Sequence, residues 1–82
     1  MSKIRLEDIQ WMGNSKKMYD DIMTALPLLY RAAVKKKFEV LVNQNQKKAI
    51  HEVDIKEAIE EYAPEKYKKM LMPIYEQYQS ES

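Results

Sequence analysis

The stretch Ala25–Val42, ALPLLYRAAVKKKFEVLV, sets a proline and an arginine at the head of an apolar run. Tyr30, Val34, Phe38, Leu41 and Asn45 follow one another in steps of four, four, three and four, which traces one stripe on an α-helix. Pro27 suits a first helical turn, where its missing N–H has no intrahelical partner to lose. The pattern predicts a helix from about Pro27 to about Asn45. Leu29, Ala33 and Val40 widen its apolar side, and a wide stripe touches more than one neighbour, so this helix is expected at the centre of the fold. Lys35, Lys36 and Glu39 fall on the opposite side, and Lys37 at the edge lays its stem over apolar surface. Lys35 and Glu39 are spaced for a surface ion pair worth about 0.3 kcal/mol.

Outward from this helix the elements are shorter. NSKKMYDDIMTAL predicts a helix capped by Asn14 or Ser15, with Met18, Tyr19, Ile22, Met23 and Leu26 on one stripe. Before it, IRLEDIQWMG carries Leu6, Ile9 and Met12 at helical spacing, with Gly13 as a left-handed stop. After the central helix, NQNQKK is polar, and AIHEVD is an extended link that Ile50 and Val53 anchor. Asp54 and Glu57 are spaced as a capping box for the next helix, with His51 as an alternative cap one turn earlier. Its stripe is Ile55, Ala58, Ile59 and Tyr62. A last helix starts at Pro64, is expected to kink or divide at Pro73, and uses Met70, Leu71, Ile74 and Tyr78, before QSES frays. No alternating strand pattern of useful length occurs. The expected fold is all-α: one domain over residues 1–82, four to five helices around a central helix at about 27–45. Within it, residues 1–13 form a short N-terminal helix, 14–62 the core, and 63–82 a helical extension kinked near Pro73.

Composition limits the function classes. With 82 residues, 45% apolar and 33% charged, the chain has globular composition. It has no cysteine, which removes disulfides, thiolate metal sites and a cysteine nucleophile. The net charge is +1, yet residues 1–50 carry ten basic and five acidic side chains, and residues 51–82 carry four and eight. Six of the fourteen basic residues lie between Arg31 and Lys48, against the single acid Glu39. No apolar run approaches the roughly 20 residues of a membrane span, and MSKIRLEDIQ lacks the apolar centre of a secretory signal. A soluble cytoplasmic protein is the expectation.

Catalysis finds few candidates. His51 is the one histidine, too little for a triad, and with Glu52 and Asp54 it offers too few strong zinc ligands. Asp20–Asp21 and Glu60–Glu61 are adjacent on helices, so their side chains diverge by about 100° and do not share a proton. No glycine-rich phosphate loop exists, and the expectation is that the chain is not an enzyme and holds no cofactor or metal. Arg31, Lys35 and Lys36 with Lys47 and Lys48 offer phosphate contacts, so nucleic acid is the second expected partner after another protein. The methionines Met18, Met23, Met70 and Met72 are expected to fill core gaps. Tyr75 and Tyr78 pack in the core or form a partner-facing patch, and Trp11 anchors the first helix or docks a partner. The candidate interaction residues are Trp11, Arg31, Lys35, Lys36, Glu39, Tyr75 and Tyr78.

The spacing of Leu26-Pro27, Arg31, Val34, Glu39 and Ile50 resembles the small C-terminal helical domain found in light-independent (dark-operative) protochlorophyllide reductase. In that family a proline-led helix with a following arginine and a glutamate precedes a short Ile-Thr link. LPLLYRAAV, Glu39 and IHEVDIKEAI hold those places here, and the match runs from about Met18 to Tyr62. NQNQ stands where the family has a turn glycine, and His51 replaces the threonine. The resemblance implies a role without a reaction: an accessory domain packed on a partner protein or beside a bound tetrapyrrole. IHEVDIKEAI is also similar to the entry into the last helix of the histone fold, which implies DNA binding or dimerisation as the alternative.

Overall fold

The computed structural model describes residues 5–46 and 48–80. Residues 1–4 of the expected first helix, Lys47 of the basic stretch and residues 81–82 of the tail lie outside them. The chain is all-α as expected, with α1 (Ser15–Ala25), α2 (Leu28–Gln44), α3 (Glu52–Tyr62) and α4 (Glu65–Tyr78). Two short strands, β1 (Gln10–Trp11) and β2 (Ala49–Ile50), pair in parallel in the register Gln10↔Ala49 and Trp11↔Ile50.

The expected N-terminal helix is replaced by a single 3-10 turn, Leu6–Asp8, followed by β1. Leu6 and Ile9 are still buried, so the apolar residues reach the core without a helix. Pairing with β2 satisfies the backbone instead: Gln10 N–H donates to Lys48 O at 3.1 Å and Met12 N–H to Ile50 O at 2.8 Å. Gly13 takes a positive φ of 57°, as expected of a stop residue, and turns the chain from β1 into α1.

Asn14 is the N-cap of α1, and Met18, Tyr19, Ile22 and Leu26 are buried. Pro27 and Pro64 occupy the N-cap positions of α2 and α4, one residue before the first turn. For α3 the earlier of the two expected caps is used: His51 is the N-cap, and its N–H donates to Asp54 Oδ2 at 2.8 Å. Helix α4 runs through Pro73 as one helix and does not divide. It packs on both α1 and α3.

The core is built by α1, α3 and α4, which contact one another in all three pairs. Helix α2 is not central. Phe38 and Val42 are its buried residues, Val34 and Leu41 are half-buried, and Tyr30 is exposed. Among the methionines, Met18 is fully buried and Met23 and Met72 line the core, whereas Met70 faces outward.

The core helices meet at one buried acid, Glu52, the first residue of α3, which is 1% exposed. Its Oε2 accepts the Asn14 N–H at 2.7 Å and the Ser80 hydroxyl at 2.5 Å, and its Oε1 accepts the Ser80 N–H at 2.7 Å. Asn14 Nδ2 donates in turn to Tyr78 O at 2.9 Å, and Ser15 Oγ to Ile50 O at 3.0 Å. The starts of α1 and α3 and the end of α4 are thus joined at one point. A negative charge at two helix N-termini is also favoured by their dipoles. Glu52→Ala is expected to lower unfolding stability by about 1–3 kcal/mol, because it removes three hydrogen bonds to a buried carboxylate that joins three segments. Exposed Glu57→Ala on the same helix is expected to stay within about 0.5 kcal/mol, with urea midpoints measuring both.

Candidate functional site

Helix α2 is held tightly at its C-terminal half and loosely at its start. Phe38 meets the Tyr19 ring edge-on, with centroids 5.3 Å apart, and Val42 is fully buried in the same half. Toward the N-terminus the helix lifts from α3 and α4. Two bridges span the gap: Tyr30 against Tyr67 at 5.3 Å between centroids, and the Lys37 ammonium 5.0 Å from the Tyr62 ring centroid. Beneath them lies an apolar slot of about 200 Å³, lined by Ile22 of α1 and Leu26 just past its end, from α2 by Val34 and Phe38, and across the gap by Ile59 and Leu71.

The other arm of the wide α2 stripe faces solvent. Leu29 is 89% exposed and Val40 43%, with exposed Ala33 between them. Steps of four and seven residues keep these three within about 40° on the helix, so they form one seam. Leu28, 76% exposed, adds apolar surface at the leading turn. Lys36 lies along the seam, and Lys35 turns away from Glu39 to pair with Glu7, Nζ to Oε1 at 3.3 Å. A backbone hydrogen bond first and the Lys35 ammonium second hold the Glu7 carboxyl below its ordinary range.

The polar positions fall into different roles. Arg31 caps α1: Nε donates to Leu26 O at 3.0 Å and Nη2 to Thr24 O at 3.2 Å. A guanidinium at the end of a helix satisfies carbonyls that have no intrahelical donor. Glu39 is half-buried, and its backbone carbonyl accepts Asn43 Nδ2 at 2.7 Å. Trp11 lies against Tyr19 at 5.1 Å with the Lys16 ammonium over its ring at 5.5 Å, so it anchors the N-terminal segment to α1. Tyr75 is buried in the core, and Tyr78 donates its hydroxyl to Asp21 Oδ2 at 2.6 Å. These two tyrosines therefore do not make the partner-facing patch that their spacing allowed. The structure brings none of Trp11, Arg31 and Tyr75 to a common surface with the seam.

No cluster of metal-ligating side chains occurs among the described residues. No helix among them is long and apolar enough to cross a membrane. Comparison with protein-family models, with curated proteins and with solved structures finds no match. The slot, the seam and the role of Glu52 are features that the expected fold did not contain. The doubled stripe of α2 is the signal for the first two, and no local pattern marks a buried acid.

The contacts of Arg31 and Tyr78 can be tested by substitution. Arg31→Ala removes the cap and is expected to lower stability by about 1–2 kcal/mol in urea unfolding. The Asp21 hydrogen bond, then its charge, raises the Tyr78 hydroxyl above its ordinary value near 10. A raised phenol stabilises the fold while protonated, so this contribution is complete below about pH 10 and fades as the folded hydroxyl ionises. Accordingly, Tyr78→Phe is expected to be less stable than the parent at neutral pH, with the gap closing in strong alkali, as read from unfolding midpoints across pH.

Proposed function

We propose that this chain is a non-catalytic accessory domain that docks on another protein through the outer seam of α2. The observation that carries the reading is Leu29, Ala33 and Val40 left uncovered in a line on a folded helix. A leucine held in water contributes nothing to the monomer, whereas covering it on docking supplies about 2 kcal/mol. A partner helix lying along α2 would cover the seam, with its acidic flank beside Lys36. The resemblance of LPLLYRAAV, Glu39 and IHEVDIKEAI to the C-terminal domain of the reductase supports an accessory role and points to an oxidoreductase or tetrapyrrole protein as the partner. Arg31 fits that role as the residue that fixes how α2 leaves α1, and so how the seam is presented.

The test is capture from native extract by the tagged full chain and by a Leu29→Asp, Val40→Asp variant. The expected result is a protein retained by the parent and lost with the variant, at an unchanged melting temperature. Equal capture by both would contradict the assignment to the seam. Retention of DNA that weakens steeply with salt, in place of protein, would favour the histone-like alternative.

A further inference from the structure

We infer that the slot beneath the leading half of α2 binds a small apolar carboxylate, with Lys37 holding the acid group and Phe38, Ile59 and Leu71 receiving the apolar body. Three observations meet here. The first is size. The slot measures about 200 Å³, somewhat more than the roughly 150 Å³ apolar cavity that takes up benzene. That admits one ring or a short acyl chain. A partner helix, about 10 Å across, does not fit, and neither does a four-ring macrocycle.

The second observation is the wall chemistry. Every residue lining the slot is aliphatic, aromatic, alanine or proline, except Lys37. The third is charge. Among the described residues no carboxylate pairs with Lys37, whose ammonium rests instead over the Tyr62 ring. The other cation at a helix junction, Arg31, is engaged by carbonyls. Lys37 is therefore a cation at the edge of a low-dielectric slot with an aromatic face as its resting place. An anion whose apolar tail enters the slot gains burial of that tail and, at the mouth, a charge partner in the exposed Lys37 ammonium. The Tyr30–Tyr67 pair lines the slot at the leading end of α2, so an acid group held by Lys37 sends its tail inward along the apolar wall toward those rings. Of the three seam residues proposed to meet a partner protein, Ala33 also borders the slot, whereas Leu29 and Val40 do not.

The experiment titrates the full chain with octanoate and, in parallel, with 1-octanol, following backbone amide shifts. The expected result is saturable octanoate shifts centred on Val34, Phe38, Ile59 and Leu71. Octanoate is expected to bind more tightly than octanol. Lys37→Glu is expected to weaken octanoate about tenfold or more, which corresponds to about 1.4 kcal/mol, and to leave octanol almost unchanged. Ala63→Phe, which fills the slot from the α3–α4 junction, is expected to abolish both. Should that variant fail to fold, the Lys37→Glu comparison decides alone. Leu29→Asp, Val40→Asp is expected to bind octanoate like the parent, so failure of the seam reading leaves this one standing. Absent or scattered shifts, equal affinity for acid and alcohol, or octanoate binding unchanged by Lys37→Glu would each overturn the inference.

Discussion

The buried carboxylate of Glu52 sets the arrangement of the rest. Glu52 reaches the start of α1 through Asn14 and the end of α4 through Ser80, while itself opening α3. An ionised acid away from water is tolerated only with donors aimed at it, and here those donors come from segments distant in sequence. Satisfying it requires that α1, α3 and α4 meet at one end. Parallel pairing of β1 with β2 fastens the same end, since Ile50 O accepts from both Met12 N–H and Ser15 Oγ. The core of Met18, Ile22, Ile55, Ile59, Leu71 and Tyr75 then fills the space between the helices so joined.

Helix α2 stands outside this arrangement, and its position explains the surface features. It joins α1 to β2, two elements already fastened to the core. Phe38 and Val42 therefore seat its second half while its first half spans a gap. A helix with a wide apolar side needs more neighbours than three short helices provide. One arm of the stripe packs, the middle lines a slot, and the outer arm is left as a seam. The two functional readings both come from that shortage of cover.

The four helices and most of their ends were legible because their signals are local. The α1 stripe, the helix-starting prolines and the turn at Gly13 need no knowledge of the rest of the chain. The place of α2 was not legible. Stripe width reports how much a helix can bury, and it is silent about whether the neighbours exist. The first segment departs from its helical spacing for a related reason: Leu6, Ile9 and Met12 fit a helix, yet Gln10 and Met12 find better backbone partners in Lys48 and Ile50, almost forty residues away. The Lys35–Glu39 pair gave way to Lys35–Glu7 in the same manner, a contact between segments prevailing over helical spacing. Glu52 carried no local mark, since its donors lie at Asn14 and Ser80.

The stable body consists of α1, α3 and α4, with α2 laid against it by its second half and little covered over its first. Amide hydrogen exchange measured residue by residue tests this directly, because protection follows the free energy of local opening. The strongest protection is predicted at Ile22, Ile55, Ile59 and Leu71. Markedly faster exchange is predicted over residues 32–36 of α2, which have helical hydrogen bonds but little cover. Protection of 32–36 equal to that of α1 and α3 would contradict the claim and return α2 to the centre of the fold.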